Sequence, residues 1–251
     1  MKRPAAVFTI ALALGVIVLA PRGGAQAQDR GEGGPIEIDK CQTISQSGSY
    51  KLVNNLTFKG PAGGTCLSIT ASFVTIDLAG FTITTTGMIS NPNLIKTTAI
   101  GGGDNTTGIT VRNGSILGTG GFTAGVSLGG DGSIVEGLRL SDMGPGGVGI
   151  FATGIVRGNT LVEIVGPGPG NGVGISATGV ITGNYATSNR GAGIVAAQGS
   201  TVIGNTITNN FDFGIVVNCP SNVTDNTVTG NLAGNLVLNG TGCNNTNNVA
   251  P

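Results

Sequence analysis

Six charged residues near the middle of the chain, Arg112, Glu136, Arg139, Asp142, Arg157 and Glu163, are the side chains best suited to act on a substrate. An arginine beside a carboxylate suits β-elimination from a uronic acid, in which a base removes the C5 proton and a cation neutralises the sugar carboxylate. Arg139 or Arg157 would be the cation, and Glu136, Asp142 or Glu163 the base. Two carboxylates can also hydrolyse a glycosidic bond, and inverting hydrolysis needs them about 6.5–9.5 Å apart. Asp142 and Glu163, at equivalent places in successive units, are expected closer than that. The simpler account of the same residues is a ladder of exposed ion pairs, each worth about 0–1 kcal/mol.

Composition narrows the field further. The chain contains no histidine, which removes Ser-His-Asp and Cys-His nucleophile activation and the usual zinc sites. Its methionines are Met1, Met88 and Met143, too few for soft-metal loading. Lysine plus arginine and aspartate plus glutamate each number 12, and only 10% of residues are charged. Such a chain lacks the basic footprint that draws proteins to phosphate backbones, so no nucleic-acid partner is expected. Tryptophan is absent and aromatic residues make up 4%, which leaves little material for a sugar site built on stacked aromatic rings.

The elements that must position these charges follow from a repeat. The pattern apolar-x-Gly-Asn-x-apolar appears at 156–161, 181–186 and 202–207, and again at 223–228 with Asp225 in place of the glycine. Val111, Val135, Val156, Ile181, Val202 and Val223 mark a period of mostly 21 residues, and Gly-Ile pairs at Gly149, Gly174, Gly193 and Gly214 keep step, with Asn235-Leu236 in the next place. No unit carries the apolar face of period 3.6 that a helical repeat needs. Each holds short alternating β-branched runs separated by Gly, Asn, Asp or Ser, which predicts strands and tight corners. A unit of this kind is one coil of a parallel β-helix, stacked about 4.8 Å above its copy. Asn159, Asn184, Asn205 and Asn226 are then expected to form an amide ladder at a corner of left-handed backbone, and Asn189, Asn210 and Asn231 a second ladder. Gly166 to Gly172 reads as an out-looped corner, and 84–104 as a larger excursion.

These repeats resemble those of the pectate-lyase-like superfold, and the segment Phe73-Val74-Thr75-Ile76-Asp77-Leu78-Ala79-Gly80-Phe81-Thr82-Ile83 resembles an early coil of such proteins. The resemblance covers about residues 41–248 and implies an all-β, right-handed parallel β-helix of about eight coils. It does not imply one activity, because the fold hosts lyases, hydrolases, epimerases, adhesins and inert stalks. Polygalacturonases of this fold carry Asn-Thr-Asp and Gly-His-Gly motifs. Here Asn-Thr is followed by Leu161, Ile207 or Val228, and histidine is missing. The acids, arginine and lysine of pectate lyases fare no better, because no lysine follows Lys96.

Lys2 and Arg3 precede an apolar run from Ala5 to Ala20, and Ala25-Gln26-Ala27 has the small-x-small form of a cleavage site. The reading is a signal peptide over 1–27, a flexible segment over 28–40 and the β-helix over 41–248, with no membrane span once the signal is removed. A secreted or periplasmic location follows. Cys41 and Cys66 lie 25 residues apart, Cys219 and Cys243 lie 24 apart, and each separation is close to one coil. Residues one coil apart fall inside the Cα window for a disulfide, and export supplies the oxidising compartment. Cys41–Cys66 and Cys219–Cys243 are therefore expected to staple the two ends. No cofactor is expected; the turn Gly101-Gly102-Gly103-Asp104-Asn105 offers calcium a single carboxylate, a weak chelator. The preferred function is a non-catalytic exported solenoid that binds polysaccharide or a cell-surface component or serves as a structural element. The alternative is a polysaccharide lyase or related enzyme acting at the Arg112–Glu163 patch.

Overall fold

A computed structural model describes residues 34–86, 97–119, 121–144, 146–165 and 171–251. The expected signal peptide, residues 28–33 of the expected flexible segment, and most of the Gly166–Gly172 corner lie outside the described residues. The rest forms a parallel β-solenoid of about eight turns without a helix. Each coil lays one strand into each of three parallel sheets. Sheet I contains Gln42–Ile44, Thr65–Ile69 and Thr98–Gly102, continues through residues 124–128, 148–152 and 173–177, and ends with Ile194–Ala196, Phe213–Asn218 and Gly234–Asn239. Sheet II runs from Ile36–Ile38 through Gly48–Leu52 and Val74–Asp77 to Asn222–Thr224 and Asn244–Thr246. Sheet III runs from Leu56–Phe58 to Thr227–Thr229.

Stacking places like over like. In sheet II, Tyr50, Ile76, Val111, Val135, Val156, Ile181, Val202 and Val223 occupy one inward column, and all are buried. Sheet III contributes Leu56, Ile83, Ile116, Leu140, Leu161, Ala186, Ile207 and Val228, and sheet I a column ending in Ile175, Ile194, Ile215 and Leu236. Burying each fully buried Val, Leu or Ile of these columns contributes roughly 1.5–3 kcal/mol. Two expected boundaries shift. The solenoid begins before residue 41, because Ile36–Ile38 pairs with Tyr50–Leu52 and Ile38 is fully buried. Within the 84–104 excursion, Thr98–Gly102 is a regular rung of sheet I between Thr65–Ile69 and residues 124–128.

Both asparagine ladders form, with one correction to the corner geometry. Asn159 donates to Asn184 Oδ1, Asn184 to Asn205 Oδ1 and Asn205 to Asn226 Oδ1, each through its backbone N–H and its Nδ2, at 2.9–3.0 Å. Asn189, Asn210 and Asn231 repeat the arrangement at the corner between sheets III and I. The ladder residues are themselves buried and are not the left-handed positions. The residues before them take that conformation: Gly158, Gly183, Gly204 and Asp225 at one corner, and Ser188, Asn209 and Gly230 at the other, with φ between 55° and 69°. Turning the corner one residue early points the following amide inward along the stack. In the final coil, Asn248 and Asn235 accept from Asn226 and Asn231, so each file ends on a side chain.

A third file was not anticipated. At the corner between sheets I and II, Ser221 Oγ accepts from the Ser200 N–H and Ser200 Oγ accepts from the Gly179 N–H. In the C-terminal coils all three corners are thus tied axially as well as through the strands.

The disulfides join Cys41 to Cys66 and Cys219 to Cys243, with Cα separations of 4.5 and 5.0 Å, one near each end of the solenoid. A terminal coil has a neighbour on one side only, so constraint there replaces contacts the interior coils obtain twice. The double variant Cys219→Ser/Cys243→Ser is expected to lose about 3 kcal/mol of unfolding free energy by loop-closure arguments. Urea titration of the two proteins measures it, and coincident midpoints would show that the end needs no staple.

Candidate functional site

The exterior of sheet II carries the column expected from the sequence. Asp77, Arg112, Glu136, Arg157 and Thr182 are direct cross-strand neighbours in that order, and Ile203, Thr224 and Thr246 continue it. The charges alternate in sign and close into two pairs. Arg112 Nε lies 3.2 Å from Asp77 Oδ2, and Arg157 Nη2 lies 2.5 Å from Glu136 Oε2, which also accepts from Arg157 Nε at 2.6 Å. Asp77 is engaged further: its Oδ1 accepts from the Ala79 N–H at 2.8 Å, and Asn113 Nδ2 approaches both of its oxygens. Asp77 is therefore engaged at both oxygens and Glu136 at Oε2, and each carboxylate pairs with the guanidinium next to it in the column.

The other three candidates stand elsewhere. Arg139 is on the exterior of sheet III, between Ser115 and Thr160. Asp142 and Glu163 occupy the corner between sheets III and I, in left-handed backbone at φ 53° and 55°, one coil apart. The strand pair Ser141–Val162 next to them places these two carboxylates about 4.8 Å apart at the backbone. The six residues thus divide among two sheets and a corner. No site assembles in which the paired arginines and all three acids face one substrate.

Partly exposed ion pairs of this kind are worth about 0–1 kcal/mol. Arg157→Gln is accordingly expected to lower stability by less than about 1 kcal/mol, with the difference from the parent shrinking as salt is raised. A loss larger than about 2 kcal/mol that persists at high salt would mean the pair supports more than local register.

One feature escaped the sequence reading. At the corner between sheets III and I, Glu163, Val165, Ser188, Arg190, Phe211 and Leu232 line a groove of about 470 Å³. Val165, Arg190, Phe211 and Leu232 form one exposed column, because the N–H groups of Arg190, Phe211 and Leu232 donate to Ile164, Asn189 and Asn210 at equivalent positions one coil away. The spacing of Arg190, Phe211 and Leu232, 21 residues each, was the available signal. It is masked because the three residues differ in type. Asp104, the proposed calcium carboxylate, packs against the backbone of Gly129, and no group of three His, Cys, Asp or Glu gathers among the described residues.

No protein-family model matches the chain, and no curated protein matches it. Among solved structures, the Dettilon tailspike protein (gp208) matches with 14% identity and a TM-score of 0.39. The match covers 84% of this chain, which spans 60% of the length of that tailspike.

Proposed function

We propose that the chain is an exported, non-catalytic solenoid that works as a binding module for glycan at an extracytoplasmic surface. The observation that carries this reading is the closure of Asp77–Arg112 and Glu136–Arg157. Elimination from a uronate needs a guanidinium free to meet the substrate carboxylate and a carboxylate free to take a proton. In the sheet II column each of these groups is occupied by the other. The two disulfides support export, since such bonds persist in oxidising compartments. What the fold offers in place of a reactive cleft is length, with rigid parallel rows of exposed Thr, Ser, Asn and Val on its outer faces.

The test places the mature protein with a panel of acidic polysaccharides, with and without Ca²⁺, and follows the ultraviolet absorbance of unsaturated uronates. A glycan array is probed in parallel. Binding on the array with a flat absorbance trace is the expected result. A sustained rise in absorbance, abolished by Arg157→Gln or by Arg190→Gln, would establish the lyase instead.

A further inference from the structure

The groove at the corner between sheets III and I has the composition of a sugar subsite. We infer that it binds a short stretch of an uncharged hexose polysaccharide, an assignment that rests on the glycan-binding reading above and gives it a place and a ligand class.

The apolar part comes from three side chains stacked on successive or nearly successive coils. Val165 is 38% exposed, Phe211 61% and Leu232 78%, and Phe211 and Leu232 are direct neighbours in the stack. Scattered exposed apolar residues need no explanation, but Phe211 and Leu232 adjoin on successive coils, with Arg190 between them and Val165 and polar groups at the rim, and such a patch marks an interaction site. An aromatic face of this kind packs against the C–H face of a pyranose ring, which buries apolar area on both partners. Phe211 is the one aromatic residue in the groove.

The polar part is a donor and an acceptor left free. Arg190 has no carboxylate within 4.0 Å, and Glu163 no cation within that distance, among the described residues; the ion pairs there are those of Arg112 and Arg157. The left-handed backbone at Glu163 and Ser188 sets their side chains at the corner, one coil apart. A carboxylate accepts from sugar hydroxyls, a guanidinium donates to ring and hydroxyl oxygens, and Ser188 does either. An apolar floor with a few convergent polar groups is the usual make-up of a small-ligand site.

Charge selects among glycans. Within the groove Glu163 and Arg190 balance each other, and the adjoining residues add carboxylates: Asp142 at the same corner position one coil before Glu163, and Asp212 next to Phe211. An acidic polysaccharide would meet more negative than positive charge here. An uncharged chain loses nothing to that excess and uses the carboxylates as acceptors.

The experiment is affinity electrophoresis of the mature protein through native gels holding a mixed-linkage β-glucan, a galactomannan, a dextran, a polygalacturonate or an alginate. Phe211→Ala, Arg190→Gln and Glu163→Gln are run beside the parent, with Arg157→Gln as a control on another face. Phe211 and Arg190 are exposed, so these variants are expected to keep the parent melting temperature. At least one neutral polysaccharide should retard the parent, Phe211→Ala should weaken that retardation at least tenfold, and Arg190→Gln and Glu163→Gln each about fivefold. Arg157→Gln should migrate as the parent does. Retardation by a neutral glycan that Phe211→Ala and Arg190→Gln leave unchanged would overturn the site while leaving the binding function standing. Retardation by the acidic polysaccharides alone would overturn the ligand class. If no glycan in the gels or on the array retards or captures the parent, the binding function fails together with the site.

Discussion

Gly214→Ala is expected to cost about 2 kcal/mol or more, the reverse of what the substitution does at an unstrained site. There alanine stabilises by about 0.4–1 kcal/mol, through the lower entropy of its unfolded chain. At Gly214 a Cβ would lie 2.3 Å from Val228 Cγ1, 2.5 Å from Asn231 Nδ2 and 2.6 Å from the Asn235 carbonyl oxygen. None of these can retreat: the first belongs to the sheet III core column, the second to a buried ladder and the third to the next coil. The same crowding recurs at Gly125, Gly149, Gly174 and Gly193, where the added carbon would stand 2.6–2.9 Å from the backbone oxygen of the coil above. Gly204→Ala is the matched control. It sits in open space at φ 64°, so only the left-handed backbone opposes it, at about 1–2 kcal/mol. Thermal and urea unfolding of both variants check the ordering. A Gly214→Ala protein as stable as its parent would mean the coils are spaced more loosely than the structure has them.

Asn205→Ala, in the middle of the longer ladder, is expected to cost about 3 kcal/mol or more. Asn205 Oδ1 accepts from both the backbone N–H and the Nδ2 of Asn184, and its Nδ2 donates to Asn226 Oδ1 and to the carbonyls of Ile181 and Ile203. Truncation leaves the Asn184 N–H buried without an acceptor, along with one of its amide hydrogens. A buried group stranded in this way costs about 1–3 kcal/mol. Asn248→Ala removes the analogous acceptor at the end of the file, where the groups are only part-buried, and should cost clearly less. Equal losses at the two positions, measured by urea titration, would show that burial of the amides is not what gives the ladder its value.

Much of this architecture was legible because stacking converts sequence period into contact. Residues one coil apart, 21 to 25 positions in most units, had to be neighbours, so the ladder asparagines, the alternating charges from Asp77 to Arg157 and both disulfides followed from position alone. What period cannot reveal is direction within a corner. The left-handed turn falls on Gly158 and Gly183, one residue before the place expected for it, and that shift buries Asn159 and Asn184. The Gly-Ile pairs were visible as a rhythm. Their cause was not, because it lies in the carbonyl of the following coil. The candidate site suffered from the same blindness: Arg139, Asp142 and Glu163 are close in sequence to the sheet II column, yet each tight corner turns the chain onto another surface. Ile36–Ile38 was missed because a three-residue strand at the edge of the stack has no second copy before it to reveal a repeat.

The amide files also make the molecule countable. Each interior rung hands its donors to the next and receives the same set in return, whereas Asn235 and Asn248 receive without passing the pattern on. A second copy of residues 181–201 placed after position 201 would meet the acceptors and cavities that the original met. The rod would grow by one strand spacing, about 4.8 Å, and nothing on either side would need to adjust. Lengths between such steps are forbidden by the corners, so reach on this scaffold comes in whole increments, and a face such as the Val165–Leu232 edge can be extended a rung at a time.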